Sequence, residues 1–138
     1  MDPAAFAPVM AVAAVAGATD RLWLCQQSFD QLAAWRREAG DARLVHSACL
    51  RRGSDPARQA VLLERVGIDA VNLKARQWRR PMVEAFHRRD RATLAWDSQT
   101  GAVLNRVLAL GVDGVYSDHV EAMQEALAGR GPACLGGG

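Results

Sequence analysis

The chain has 138 residues, half of them apolar and 23% charged, which is enough for one folded domain and excludes compositional disorder. Lys and Arg total 17 against 15 Asp and Glu, a net charge of +2. This balance argues against a protein that works by neutralising a polyanion, so nucleic acid is not an expected partner. Three cysteines, Cys25, Cys49 and Cys134, with no C-x-x-C pair, argue against a disulfide framework and a cysteine zinc site. They read as buried apolar fillers in a reducing, cytoplasmic setting.

The chain opens with an alanine-rich stretch from Pro3 that predicts a leading helix over 3–17. It is too short and too weakly apolar to span a bilayer, which takes roughly 20 apolar residues. It also lacks the basic start of a secretory leader. Five short apolar runs follow: Leu22–Cys25, Leu44–His46, Ala70–Leu73, Thr93–Trp96 and Val112–Tyr116. Each is bounded by turn residues and reads as a buried parallel strand.

Helices are expected between the runs. Ser28 with Gln31 has capping-box spacing and opens a helix over Phe29–Ala39, ended by Gly40. Asp55-Pro56 opens one that runs to Val66 and stops at Gly67. Pro81 opens one toward Arg89, and Val103, Leu104, Val107 and Leu108 form the apolar stripe of the next. Asp118 with Glu121 repeats the capping-box spacing, and Val120, Met123 and Leu127 are the expected buried face of the last helix. The Gly-rich tail, 129–138, is expected to be disordered.

An internal repeat supports this order. Gly67-Ile68-Asp69-Ala70-Val71 recurs as Gly111-Val112-Asp113-Gly114-Val115. In each copy a glycine ends a helix, an apolar plug and a turn aspartate follow, and a strand begins. Five βα units in sequence imply an α/β fold with a parallel sheet and right-handed crossovers. The chain is too short for a whole eight-fold barrel, which takes about 250 residues. A small open sheet and the larger part of a broken barrel both remain. In either, ligands bind at the carboxyl ends of the strands.

Those ends read Gln26-Gln27-Ser28, His46-Ser47, Asn72 with Lys74, Trp96-Asp97-Ser98 and Ser117-Asp118-His119. Lys74 is the one lysine among the 17 basic residues, and a strand-end lysine suits a phosphate as a point charge. Trp96 offers a flat apolar wall. Ser28 and Asp118 read most simply as helix caps, His46 as a satisfied structural histidine, and His87 and His119 as solvated. No ligands fall at metal spacing, and there is no H-E-x-x-H, P-loop or G-x-S-x-G.

The stretch from Leu22 to Leu127 resembles the carboxy-terminal part of the glycerophosphodiester phosphodiesterase family, in an actinobacterial-like form. The likeness rests on Ile68-Asp69-Ala70-Val71-Asn72-Leu73, on Ala95-Trp96-Asp97, and on Gly111-Val112-Asp113-Gly114-Val115-Tyr116-Ser117-Asp118-His119, with a weaker match around Gln26–Phe29. The resemblance implies five βα units of an incomplete (β/α)₈ barrel over 1–128. It also implies hydrolysis of a glycerophosphodiester to glycerol 3-phosphate and an alcohol, in lipid metabolism, with a divalent cation (Mg²⁺ or Ca²⁺).

In the family, carboxylates hold the metal and two histidines act as acid and base. Those groups come from His-Arg-Gly, Glu-x-Asp, His-Asp and Glu-x-Lys words, none of which occurs here. The chain is therefore expected to be a fragment starting near the helix before the fourth barrel strand, to carry no catalytic or metal residue, and to be inactive alone. By motif Trp96 carries over as a pocket wall, while Lys74, Asn72 and Asp118 stand at strand ends where pocket residues lie. The alternative is a non-catalytic module whose exposed sheet edges self-associate or pair with a separate amino-terminal half.

Overall fold

The structure is a computed structural model and describes residues 1–50 and 53–128. The tail expected to be disordered lies outside the described residues, as does Cys134. After a short 3-10 turn at Pro3–Ala5, capped by Asp2, the elements alternate. They run α1 (Phe6–Val15), β1 (Trp23–Gln26), α2 (Phe29–Arg36), β2 (Arg43–Ser47), α3 (Pro56–Val66) and β3 (Ala70–Lys74). Next come α4 (Arg80–His87), β4 (Ala92–Trp96), α5 (Gly101–Ala109), β5 (Gly114–Val115) and α6 (Val120–Ala128).

The five strands form one parallel sheet in the order β1-β2-β3-β4-β5. A parallel sheet whose spatial order equals its chain order is singly wound, because right-handed crossovers put every helix on the same face. The packing shows this. Leu24, Leu44, Val71, Leu73 and Ala95 share one core with Leu32, Trp35, Leu63, Phe86 and Val107 of the helices. The opposite strand faces meet each other, with Val45, Ala70 and Leu94 buried beside Cys25 and Ala92. The architecture is that of an unclosed barrel wall, which excludes a doubly wound sheet.

Local chemistry explains most boundaries. Ser28 Oγ accepts from the Gln31 N–H at 3.2 Å and starts α2. Asp55 caps Ala57 at 2.9 Å ahead of Pro56 and starts α3. Gly67, at φ 75°, ends α3 in the left-handed conformation. In the helical layer, Phe6 stacks on Trp35 at 4.9 Å, and Trp78 meets Phe86 edge-on at 6.0 Å while donating to the Leu94 carbonyl at 3.0 Å. Each such aromatic pair adds about 0.5–1.5 kcal/mol beyond the area it buries.

The repeat has a clear structural role at the amino edge of the sheet. Asp69 Oδ2 accepts from the Leu44 N–H at 2.8 Å and from Arg36 at 3.2 Å. Asp113 Oδ2 accepts from the Thr93 N–H at 2.7 Å and lies 2.9 Å from His87 Nε2. In both copies the aspartate ties the start of the preceding strand to a basic group on the helix before that strand. His87 is therefore a paired residue, where the sequence reads as a solvated helix end.

Several other expectations are corrected. Helix α2 ends at Arg36 and α4 at His87, both short of the sequence boundaries. The fifth strand is only two residues long. Cys49 is exposed and Cys25 half-buried, both as free thiols, where the sequence suggested buried fillers. Helix α6 buries Ala126 and packs through Ala122 and Met123, while Val120 and Leu127 are exposed, because a face of small residues fits closer to α5. Asp118 does not cap α6: its Oδ2 accepts from Gln99 Nε2 at 2.8 Å, and Ser117 Oγ takes the His119 N–H at 3.1 Å. No helix of the described residues is long and apolar enough to cross a membrane.

Candidate functional site

Side chains alternate across a strand. Val45, Ala70 and Leu94 face the concave side, so Ser47, Asn72, Lys74 and Trp96 share that side, nearer the carboxyl edge. Gly114 belongs to the same face, because a Cβ there would lie 2.9 Å from Leu94 Cδ2. Two residues on, Tyr116 therefore points inward as well. Its hydroxyl crosses the concave face to within 3.8 Å of Cys25 Sγ. The first and last strands of the sheet thus approach each other, and the open wall curls around a mouth.

Lys74 is not a free cation. Its Nζ lies 2.8 Å from Asp97 Oδ2 and 5.1 Å from the Trp96 ring centroid. Asp97 reaches it from a left-handed backbone at φ 61°, a conformation that Asp tolerates better than most residues. Trp96 is 41% exposed, so it is no core residue. Asn72 is buried, its Nδ2 donating to Ser47 Oγ at 3.4 Å, while its Oδ1 has no partner. The buried Ser98 Oγ is likewise unpartnered. A buried polar atom without a partner costs about 1–3 kcal/mol, so these two mark where an ordered water or ligand group would be accommodated.

The structure thus brings Lys74 and Trp96 together, with Asn72 one step deeper on the same strand as Lys74. Asp118 sits beyond β5, away from Lys74 and Asn72. It lines a cavity of about 520 Å³ that it shares with Trp96 and Tyr116. The sequence places Asp97 at a strand end and Tyr116 in the last motif, but gave neither a role at the site. The adjacency of Asp97 to Trp96, and the two-residue period from Gly114, were the signals for them.

His46 stands beside this mouth, on the helix-facing side of β2. Its Nε2 lies 3.1 Å from the Gln27 carbonyl, its Nδ1 3.4 Å from Gln59 Nε2, and Phe29 packs edge-on at 5.8 Å. Burial lowers its pKa from 6.5, against the opposing pull of the Gln27 carbonyl. It is a satisfied structural histidine, as the sequence suggests. Burial, and then the neighbouring Cys25 thiol, push the Tyr116 hydroxyl up to about 12, which leaves it neutral.

Metal chemistry has no donor set here. Among the described residues no three His, Cys, Asp or Glu side chains gather in a way that could hold an ion. Asp97 is engaged by Lys74 and Asp118 by Gln99. The residues present do not fit a divalent cation.

Three solved structures align with this geometry. A protein of Silicibacter pomeroyi assigned as a glycerophosphoryl diester phosphodiesterase matches 90% of this chain and 43% of its own, with a TM-score of 0.78 and 20% identity. The chain shares the fold of that part of the protein. A second protein so assigned, from Agrobacterium tumefaciens, matches 90% of this chain and 51% of its own, with a TM-score of 0.74 and 12% identity. A phosphodiesterase of Oleispira antarctica, solved with its product sn-glycerol 3-phosphate, matches 78% of this chain and 42% of its own, with a TM-score of 0.65 and 14% identity. The chain therefore spans about half the length of these neighbours. No protein-family model and no curated sequence matches it.

Proposed function

We propose that this chain is the carboxy-terminal half of a glycerophosphodiester phosphodiesterase of lipid metabolism. In this reading it supplies the rear wall of the phosphodiester pocket and turns over no substrate alone. The observation that carries it is the singly wound five-strand wall, which matches about half of each phosphodiesterase barrel. The reaction adds water across a P–O bond and yields sn-glycerol 3-phosphate and an alcohol. Its metal ligands and acid–base pair would come from polypeptide carrying the His-Arg-Gly and Glu-x-Asp words.

Within that division of labour Lys74 supplies charge to a phosphoryl oxygen, in exchange for its bond to Asp97. Asn72 Nδ2 and Ser47 Oγ supply neutral hydrogen bonds behind it, and Trp96 supplies an apolar wall. Titration of the chain with sn-glycerol 3-phosphate, followed by NMR, tests the reading. Saturable shifts centred on Lys74 and Trp96, lost in Lys74→Met, are expected. Shifts scattered over surface arginines would refute it.

The second reading, an interaction module, has its own support. The outermost helices carry exposed apolar side chains, Val12 and Val15 on α1 and Val120 and Leu127 on α6. They flank the two unpaired edges of the sheet, on β1 and β5, and free edges invite pairing. Light scattering after size exclusion discriminates. A concentration-dependent dimer supports association through these edges, and a stable monomer at high concentration counts against it.

A further inference from the structure

Of five surface cavities on the described residues, four carry at least one aspartate in their walls. The fifth, of about 530 Å³, has no acidic residue and two arginines, Arg76 and Arg79. It lies between the loop after β2, the start of α3 and the turn between β3 and α4, and it shares no lining residue with the mouth around Lys74 and Trp96. The local sequence is one-sided in charge. From Ala70 to Val83 there are four basic residues, Lys74, Arg76, Arg79 and Arg80, and no acidic one.

The two guanidiniums are held without a carboxylate. Arg79 Nη1 donates to the Arg76 carbonyl at 2.7 Å and to the Trp78 carbonyl at 2.8 Å, so the chain itself fixes this side chain. Arg76 makes neither a side-chain hydrogen bond nor an ion pair among the described residues, whereas Arg36, Arg89 and Arg91 each stand beside a carboxylate. The floor of the cavity is also built. Gln77 Nε2 donates to the Leu50 carbonyl at 2.9 Å and ties the loop after β2 to the turn after β3. Leu50, Pro56 and Met82, all half-buried, give the cavity an apolar side. Asp55, next to Pro56 in sequence, accepts from the Ala57 N–H and lines the neighbouring cavity.

We infer that this cavity binds a phosphate group carried on an apolar substituent. A guanidinium presents a planar fork of donors that matches phosphate oxygens, and two such forks stand on one wall with no carboxylate between them. Charge alone would accept any anion. The apolar side favours a phosphomonoester with an alkyl chain over inorganic phosphate, because each methylene buried adds to the affinity. The helix ends add little. Asp55 already closes the start of α3, and Pro81 removes an N–H from the first turn of α4. The inference does not depend on the proposed function, since none of these residues belongs to the mouth.

Butyl phosphate titrated into the chain, followed through the Arg76 and Arg79 Nε–Hε resonances, tests the inference. Inorganic phosphate and butan-1-ol are the controls for charge and for chain. The expected result is saturable butyl phosphate binding at those two side chains, about tenfold tighter than inorganic phosphate, with no saturation by butan-1-ol. Arg76→Gln weakens both phosphates severalfold, and Met82→Gln removes the preference for butyl phosphate. Lys74→Met leaves both affinities at Arg76 and Arg79 unchanged, which separates this cavity from the mouth. Equal affinity for the two phosphates, shifts spread over arginines outside the cavity, or undiminished binding in Arg76→Gln would each overturn the inference. The comparison of the two phosphates needs only the unaltered chain, so a misfolded variant does not rescue the idea. Sedimentation with phosphatidate and with phosphatidylcholine vesicles then separates the sources of the group. Retention on phosphatidate alone supports a lipid headgroup, and butyl phosphate binding without retention supports a soluble phosphoester. Equal retention on both lipids would overturn the role of the arginines.

Discussion

Lys74 and Asp97 meet at 2.8 Å across the carboxyl ends of β3 and β4, with the Trp96 ring beneath the ammonium. The side chains are 34% and 38% exposed, so water screens the pair and its worth to stability is about 0–1 kcal/mol. In the proposed reading, the one lysine of the chain is held in place by Asp97 until an anion competes for it. Asp97→Asn keeps a residue that tolerates the left-handed backbone and removes the competing charge. It is expected to raise affinity for sn-glycerol 3-phosphate severalfold by calorimetry while changing the urea midpoint little. Unchanged affinity would mean that Lys74 does not meet the phosphate.

The two repeat aspartates are expected to differ in cost. Asp69 is 23% exposed at its side chain and Asp113 is 45% exposed. Removing a carboxylate that accepts a backbone N–H leaves that donor less well satisfied, at about 1–3 kcal/mol when the group is buried. Asp69→Ala is expected to cost about 2 kcal/mol and Asp113→Ala about 1 kcal/mol in urea unfolding, the difference following solvent access. Equal costs would deny that access sets them.

His46 sets a direction for acid stability. Its folded pKa lies below the 6.5 of a free imidazole, chiefly through burial. Below 6.5 the unfolded chain takes up a proton that the native chain resists, so the unfolded state gains and stability falls as pH drops toward the folded pKa. Above 6.5 both states are neutral and the histidine adds no pH dependence. His46→Gln is expected to flatten the stability profile between neutral pH and the folded pKa, measured by thermal melts. A profile with the same slope would place the acid sensitivity elsewhere.

Gly114 is pressed against Leu94. An added Cβ would lie 2.9 Å from Leu94 Cδ2, closer than a real Cβ contact. Gly114→Ala is expected to destabilise by no more than about 1 kcal/mol, because the atom in the way is the movable end of a leucine side chain, and the penalty should shrink in the Leu94→Ala background, where the space is free. A double-mutant cycle without coupling would contradict this packing of β4 on β5.

The order of elements was legible because its signals are local. Ser28, Asp55-Pro56 and Gly67 mark helix ends through hydrogen bonds and backbone conformation that belong to a few neighbouring residues. The repeat was also legible, although its purpose, two aspartates tying strand starts to Arg36 and His87, needed the tertiary fold. Asp118 misled because the capping-box pattern also permits a bond to Gln99 from a preceding loop. The strand period left the open wall undecided, since a barrel wall and an open sheet share it, and the incomplete barrel was expected only through the family resemblance. The spatial order of the strands bears that expectation out. Tyr116 escaped because its contact with Cys25 joins strands from opposite ends of the chain.

The central claim is that this chain holds the wall of a phosphodiester pocket without its reactive groups. Hydrolysis of a glycerophosphodiester by the purified chain, with Mg²⁺ or Ca²⁺ present, tests it most directly. Release of glycerol 3-phosphate no faster than in buffer is the expected result. Metal-dependent release well above that rate, abolished in Lys74→Met, would show that the chain is a complete catalyst and contradict the account.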